Sequence, residues 1–356
     1  MIPHTYPTSV VSGKNAMQVG LLSSITGLRA WIDYIPVKLV TQSTTVENTF
    51  SITGYRLSNA IEITNKQAWL DYIPIYDVSA NVAFTKPWST DIGGYIPIYG
   101  DNVSPILSLF AAGEQGAWYD PSDFSTMFQD AAGSTPVTAV GQAVGRILDK
   151  SGRGNHATQT TSTKRPVLQQ DANGKYFLLF DGIDDALQTA SVNFTGTGKV
   201  TVWAGVRKLS DATRGILVEL SALGTDLRKF VIDAPLDTTK KYRIVMAGDA
   251  VTNPEYAYTG AQYVAPHTSV LTGVLNRQLT TNSAILRING QLNGTFSSPF
   301  TYIDTFGNYP LFIGSRGGTS LPFNGRLYSL IIRGAQSTAT QISNAETYVN
   351  SKTGAY

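Results

Sequence analysis

The chain contains no cysteine among its 356 residues, and histidine occurs only at positions 4, 156 and 267. The absence of cysteine excludes a disulfide framework, a thiolate zinc site and a cysteine nucleophile. No Gly-x-Ser-x-Gly turn, His-Glu-x-x-His helix or Gly-Lys-Ser/Thr phosphate loop is present. The signatures of the common hydrolases, zinc proteases and nucleotide-binding proteins are therefore missing.

Charge and long apolar runs are also scarce. Charged residues make up 15% of the chain, and the formal net charge of +2 is too small for binding a nucleic-acid backbone. No apolar run approaches the roughly 20 residues that cross a bilayer, and the N-terminus lacks the pattern of a signal peptide. We therefore expect no nucleic-acid partner, no membrane insertion and synthesis in a cytoplasm.

Turn-forming and strand-forming residues are abundant, with 33 Gly, 16 Pro and 18 Tyr. Strand-like segments recur at short intervals after residue 116, which predicts an antiparallel β-sandwich. They lie at 176–180, 199–207, 216–220, 242–246, 268–275, 284–288, 310–313 and 326–332, with Asn-Gly turn signals at 173–174, 289–290, 293–294 and 324–325. Helical spacing over 338–352, with Ser337 as cap and Gly354 beyond the end, predicts one closing helix.

The front of the chain contains a repeat. RAWIDYIPVK at 29–38 returns as QAWLDYIPIY at 67–76, 38 positions later. Alternation around each tryptophan suits a half-buried strand, and the following proline confines it to an edge. We expect a duplicated small β-domain over 1–103 whose copies pack on each other or on another subunit. Four aromatic residues, Trp31, Tyr34, Trp69 and Tyr72, are either its core or a stripe that contacts a partner.

Residues 104–115 carry helix boundary signals: Ser104 as a cap, Pro105 at the first turn and Gly113 after the last. This pattern predicts a connecting helix or linker. The predicted organisation is therefore a duplicated β-domain at 1–103, the connector at 104–115 and the sandwich at 116–356.

Five segments in order carry a family resemblance: GAWYDPSD (116–123), DKSGRGNHATQ (149–159), FDGIDDAL (180–187), LFIGSRGGTSLPFNGRLYSLIIRGA (311–335) and the closing helix. Together they resemble the laminin-G-like, concanavalin A-like jelly-roll sandwich domains of bacteriophage and prophage virion proteins. The resemblance implies an all-β fold and a structural protein on the surface of a tailed-phage virion. A capsid decoration, head fibre or short appendage is expected, and a tail fibre or receptor-binding protein is the alternative.

The same resemblance implies partners. The region 1–103 would attach the protein to a major capsid protein or to tail proteins and build a homo-oligomer, expected to be a trimer. The sandwich would project outward and bind glycan on the host surface. Candidate carbohydrate-binding residues are three tyrosines in a Pro- and Gly-flanked stretch and two residues of the 316–320 loop: Tyr256, Tyr258, Tyr263, Arg316 and Ser320. Core packing or contact between subunits is the alternative role for the tyrosines.

Three aspartates, Asp181, Asp184 and Asp185, follow an apolar run. Asp-Gly-x-Asp-Asp is typical of a sharp turn that hydrogen-bonds its own backbone, and this is the favoured interpretation. A Ca²⁺ site is the alternative, since the carboxylates would supply part of a shell of six or more oxygens; otherwise no cofactor is expected.

Catalysis is the least favoured role for these aspartates. Glycoside hydrolysis normally needs two carboxyl groups across the scissile bond. The glucanases with this fold supply them as Glu-x-Asp-x-Glu, which the six glutamates at 47, 62, 114, 219, 255 and 346 never form. We therefore expect a protein that is not an enzyme, with a glycan-degrading enzyme as the alternative.

Overall fold

The computed structural model describes residues 105–222, 228–248, 255–298 and 305–356, together with the backbone of seven short strands before them. The chain divides into two units, Met1–Val103 and Ser104–Tyr356. For Glu255, Tyr256 and Tyr258, in the second unit, the description covers the backbone alone.

The first unit contains short strands: β1 (Val10–Gly13), β2 (Ala16–Gly20), β3 (Ala30–Trp31), β4 (Thr49–Ile52), β5 (Arg56–Leu57), β6 (Ala68–Trp69) and β7 (Asp77–Val78). Strands β1, β2 and β4 form an antiparallel sheet, whereas β3–β6 and β5–β7 are parallel pairs. Trp31 lies directly opposite Trp69, so the two copies of the repeat pair with each other. Tyr34 and Tyr72 lie outside the described residues.

The second unit holds longer strands: β8 (Gly116–Tyr119), β9 (Met127–Phe128), β10 (Arg146–Ile147), β11 (Ala157–Thr158), β12 (Val167–Gln170), β13 (Tyr176–Asp181), β14 (Leu187–Asn193), β15 (Lys199–Lys208), β16 (Ile216–Leu220), β17 (Lys229–Asp233), β18 (Arg243–Ala247), β19 (Glu255–Tyr258), β20 (His267–Asn276), β21 (Ala284–Ile288), β22 (Gln291–Phe296), β23 (Asn308–Ile313) and β24 (Asn324–Arg333). Short 3₁₀ turns occupy Leu107–Phe110, Phe124–Thr126 and Ser162–Lys164, and the helix α1 spans Ala339–Thr353.

These strands form two antiparallel sheets. The first has the order β19-β18-β17-β16-β23-β14-β11-β10-β9; the second has the order β12-β13-β24-β15-β20-β21-β22, with β8 also paired to β24. Side chains from both sheets share one core, which includes Phe180, Val202, Leu217, Phe230 and Leu286. The expected all-β sandwich with a closing helix is confirmed.

Two of the four Asn-Gly signals mark hairpin turns, at 173–174 and 289–290, where each glycine has a φ of +76°. The predictions at 293–294 and 324–325 are wrong, because these pairs lie inside β22 and β24. At the second of these, a Cβ on the glycine would stand 2.6 Å from the carbonyl oxygen of Arg207 on the neighbouring strand. Close approach between strands therefore explains that glycine, rather than a turn.

Helix α1 begins one residue later than predicted. Thr338, not Ser337, is its cap, because the hydroxyl of Thr338 accepts from the backbone N–H of Gln341 and the Gln341 side chain accepts in return. Ser337 instead accepts a hydrogen bond from Arg333. Gly354 ends the helix with a φ of +63°, as expected. Within the described part of the chain, no helix is long and apolar enough to span a membrane.

The segment at 104–115, predicted as a connecting helix or linker, packs against the sandwich. It contains a 3₁₀ turn at Leu107–Phe110, and the side chains of Ile106, Leu109 and Phe110 are buried. They belong to a second apolar cluster on the outer face of the eight-stranded sheet, formed with Trp118, Trp203, Val270, Ile331, Ala345 and Val349. The segment is therefore part of the sandwich unit.

Arg333 joins this segment to the helix from the end of β24. Its Nε donates to the carbonyl of Leu109 at 2.7 Å, Nη2 to Glu114 at 2.6 Å and Nη1 to Gln341 at 2.9 Å. The side chain is only 8% exposed, so losing a partner would leave a buried charge poorly compensated.

We predict that a chain of residues 104–356 folds alone, whereas a chain of residues 116–356 does not. Removing three buried apolar side chains and two partners of Arg333 costs at least about 5 kcal/mol, comparable with the whole stability of a domain. Urea unfolding followed by tryptophan fluorescence measures the difference. Equal stability of the two chains would show that the segment is a dispensable linker.

Candidate functional site

Strand register places five loops at one end of the sandwich. Asp181 at the end of β13 is opposite Asn324 at the start of β24, and Leu187 is opposite Ile313. Lys208 at the end of β15 lies opposite the first residue of β20. The loops that continue from these strand ends therefore lie together, and we name them the loop rim: 182–186, 209–215, 234–242, 259–266 and 314–323.

Two of the sequence segments that carry the family resemblance lie away from the rim and serve the framework instead. In GAWYDPSD, the buried carboxylate of Asp120 accepts a hydrogen bond from Tyr348 at 2.7 Å and lies 3.1 Å from Lys352 Nζ. Burial opposes its ionisation, but hydrogen bonds from Ser122 and Tyr348 and the charge of Lys352 hold the pKa of Asp120 below its usual value. The segment thereby ties β8 to helix α1.

In DKSGRGNHATQ, one buried carboxylate organises the loop. Asp149 accepts from the backbone N–H groups of Trp118, Ser151 and Asn155 at 2.8–3.0 Å, and from the Ser151 hydroxyl at 2.8 Å. The Nδ1 of His156 accepts from the backbone N–H of Asp149. Because these N–H groups already bind Asp149, the loop is a structural element rather than an anion site.

The aspartate segment on the rim is a self-bonded turn. Asp181 Oδ1 accepts from the N–H groups of Ile183 at 2.8 Å and Asp184 at 3.3 Å, and Asp185 Oδ2 accepts from the N–H of Asp181 at 3.0 Å. Gly182 takes a φ of +77°, which favours glycine. These contacts confirm the turn interpretation of the segment.

One ligand oxygen from each of the three aspartates lies within 4.8 Å of the others. Asp185 is buried, and burial, with the charges of Asp181 and Asp184, raises the pKa of Asp185 to about 6 despite the hydrogen bond from the backbone. Lys164 Nζ lies 3.7 Å from Asp184. Calcium needs six or more oxygens, and two of these carboxylates already accept backbone N–H groups, so the Ca²⁺ site stays a prediction.

A small pocket of about 210 Å³ adjoins this turn. Its walls come from four loops of the rim and the first residue of β24: Gly182, Ser210, Ala212, Thr213, Gly215, Pro235, Pro322 and Asn324. Hydroxyl and amide groups line it beside small apolar surfaces, and none of these residues is acidic. The pocket thus offers hydrogen-bonding groups for a small polar ligand but no carboxyl pair for hydrolysis.

The three candidate tyrosines have different positions. Tyr263 lies in a rim loop, where its ring contacts Tyr242 and His267 at centroid distances of 5.5 and 4.9 Å and its hydroxyl donates to Asn293. Tyr256 and Tyr258 belong to strand β19 instead of a loop. The register puts Tyr258 directly opposite Arg243.

Both candidates of the 316–320 loop take part in contacts that shape the loop. Arg316 Nε donates to the buried carboxylate of Glu219 at 2.9 Å. Ser320 is exposed, and the backbone N–H of Arg316 donates to its carbonyl at 2.7 Å, which closes the loop around Gly317 and Gly318. Arg316 therefore positions the loop.

Sequence reasoning missed a charged cluster beside the pocket. Asp233 is fully buried, and its two carboxylate oxygens accept from Arg214 Nε at 2.9 Å and Arg243 Nε at 2.6 Å. Burial raises the pKa of Asp233, and the two arginines oppose that shift. No motif signals this cluster, because its members are 10 and 19 positions from Asp233 and meet only through strand pairing and a loop.

We predict that Asp185→Asn flattens the dependence of stability on pH between about 4 and 6. The folded pKa of Asp185, about 6, exceeds the ordinary value of 3.8, so the folded state holds the proton more tightly and loses stability as pH rises through this window. At pH 7.5 and with EDTA present, we expect the variant to match or exceed the parent by about 1–3 kcal/mol.

Urea unfolding at a series of pH values measures this effect, with Asp184→Asn as the matched control on the same turn. The control should produce a smaller change, because Asp184 acts on Asp185 only through its charge. If Ca²⁺ instead raises the melting temperature of the parent by several degrees and not that of Asp185→Asn, the turn is a calcium site and the favoured interpretation fails.

No protein family's sequence profile matches the chain, and no curated protein does. Solved structures with a similar fold include the binding domain of botulinum neurotoxin serotype G, with 13% identity over 58% of this chain and 49% of that one and a TM-score of 0.43. Others are a heptameric SAP-like pentraxin from Limulus polyphemus (14% identity, 46% and 78% covered, TM-score 0.39) and the CBM40 of a Ruminococcus gnavus IT-sialidase (13%, 42% and 83%, 0.36). The chain spans about half the length of the neurotoxin domains. Likeness at this level carries no conclusion about ligand.

Proposed function

We propose that this chain is a non-enzymatic surface protein of a tailed-phage virion whose sandwich unit binds glycan on the host surface through the loop rim. The virion assignment rests on the resemblance of the five ordered segments. The binding assignment rests on one observation, the convergence of loops from both sheets around a small polar pocket. Loops carried by a rigid scaffold are a common location for binding residues.

The pocket's composition favours binding over catalysis. Its polar groups are the hydroxyls of Ser210 and Thr213 and the amide of Asn324, which suit sugar hydroxyl groups. The adjacent carboxyl of Asp185 is buried in its own turn and accepts a backbone hydrogen bond there, so it does not face the pocket as a general acid would.

The first unit supplies attachment in this proposal. The sandwich unit has its own core, which leaves Met1–Val103 available to bind a major capsid or tail protein. Trp31, Tyr34, Trp69 and Tyr72 are the proposed contacts, within a homotrimer at the virion surface. A capsid decoration, head fibre or short appendage is the favoured form, and a tail fibre or receptor-binding protein is the alternative.

We predict reversible binding of the full chain to polysaccharide from the host envelope, without new reducing ends on prolonged incubation. Thr213→Met narrows the pocket with an uncharged side chain and should weaken binding about tenfold, the equivalent of about 1.4 kcal/mol. Thr195→Met, on an exposed loop at the opposite end, is the matched control. Isothermal titration calorimetry and a reducing-sugar assay give the two readouts; sustained release of reducing ends would favour the glycan-degrading alternative.

The virion assignment has a separate test. Mass spectrometry of purified particles should detect this chain, and immunogold labelling should place it on the capsid surface. Label confined to the tail would select the tail-fibre alternative. Particles that lack the chain would exclude any virion role while leaving glycan binding intact.

A further inference from the structure

The Asp233 cluster has more positive than negative charge. Two guanidinium groups bind the two oxygens of one carboxylate, which leaves a local net charge of +1. The positive charge of one arginine would already balance the negative charge of the buried aspartate. The second cation is therefore in excess of what burying Asp233 requires.

Both arginines contact Asp233 through Nε. Among the described residues, no hydrogen-bond partner is present for the Nη groups of Arg214 or Arg243. The two Nη atoms at the end of a guanidinium group form a planar fork that matches a carboxylate or sulfate in a bidentate contact. Asp233 thus orients two forks whose outer ends remain available.

The forks are accessible, and the chain segments that carry Arg214 and Asp233 also line the pocket. The Arg214 and Arg243 side chains are 25% and 20% exposed, while Asp233 beneath them is 0% exposed. Arg214 lies between two pocket residues, Thr213 and Gly215, and Asp233 lies two positions before a third, Pro235. An anion held by the forks would thus be attached to a ligand that also reaches the pocket.

Neighbouring charged residues change the positive electrostatic potential at Arg214 and Arg243 but do not cancel it. Asp237 lies on the same loop as Lys240 and Lys241. Hydrogen bonds from Thr239 are the chief cause that lowers the pKa of Asp237, and Arg243 makes a smaller contribution. Over residues 233–243 the sequence contains two aspartates against Lys240, Lys241 and Arg243, so this stretch is itself net positive by one charge. The negative aspartate turn borders the same pocket through Gly182, and Lys164 pairs with Asp184 of that turn.

We propose that Arg214 and Arg243, held by Asp233, bind the oxyanion of an acidic saccharide, a carboxylate or a sulfate on a sugar. This inference rests on the proposed glycan-binding function and specifies its ligand class. The sugar ring contacts the hydroxyl-lined pocket, and Tyr258 occupies the register position next to Arg243 on the same sheet. Arg214 and Arg243 thereby distinguish charged from neutral glycans.

Calorimetry with the full chain tests the proposal with four probes: a galacturonic acid trisaccharide, the neutral galactose trisaccharide, the sulfated galactose trisaccharide and free sodium sulfate. We expect at least tenfold tighter binding of an acidic trisaccharide than of the neutral one, with affinity falling as salt rises. The two acidic probes distinguish a carboxylate from a sulfate ligand. Free sulfate should bind far more weakly, because it lacks the contacts of the sugar.

Variants separate binding from folding. Arg243→Gln alone leaves one oxygen of the buried Asp233 carboxylate without its hydrogen bond, so the informative pair is Asp233→Asn and Asp233→Asn with Arg243→Gln, in which the buried charge is gone. Both should melt as single cooperative transitions. The first keeps both guanidinium charges and an amide oxygen that accepts from one Nε, so it should keep the preference for acidic sugar; the second should lose it about tenfold. Lys175→Gln removes one positive charge at the opposite end of the sandwich and should change nothing.

The outcomes discriminate between the two proposals. Equal binding of neutral and acidic trisaccharides would overturn the acidic ligand and leave glycan binding standing. An unchanged preference in the folded double variant would overturn the role of the arginines. Sulfate that binds as tightly as the trisaccharide would overturn the saccharide assignment, and failure to bind any saccharide, host polysaccharide included, would remove both proposals.

Discussion

The fold of the sandwich unit depends on covering the outer face of its eight-stranded sheet. That face presents Trp118, Trp203, Val270 and Ile331, which need a covering because apolar surface exposed to water is unfavourable. Helix α1 and the 3₁₀ segment before β8 provide it, and Arg333 holds both in place. This side is committed to packing, and the candidate binding groups lie on the loop rim and at the paired ends of β17 and β18.

The buried aspartates show that the role of one residue type depends on the groups that surround its carboxylate. Asp120 and Asp149 are surrounded by donors and join segments distant in sequence. Asp185 is buried in a turn beside two like charges, and its burial, with those charges, raises its pKa. Asp233 is buried beneath two arginines and presents them toward solvent. These carboxylates therefore act as fixed acceptors that position cations and backbone.

Local patterns predicted much of the fold. Strand-like segments between turn residues located the long strands, including Ile216–Leu220 and Ala284–Ile288 to the residue. Turn residues identified the Asp-Gly-x-Asp-Asp turn, because its hydrogen bonds join residues no more than four positions apart. The same turn signal was wrong at 324–325, where close contact with a neighbouring strand, and not a turn, accounts for the glycine. For the connector at 104–115, local signals predicted a short helix, and a 3₁₀ helix is present at Leu107–Phe110; they did not predict its burial, which depends on α1 more than 200 residues later.

The amino-acid sequence by itself determined the β-rich class, the absence of thiol chemistry, the closing helix and the repeat at the front, because each depends on composition or on neighbours within a few positions. Only the tertiary structure decided which side chains meet. Strand pairing puts Asp233 opposite Arg243, and a loop brings Arg214 to the same carboxylate. Such contacts leave no periodic trace in a single sequence, since the register between strands is set by packing across the whole sheet.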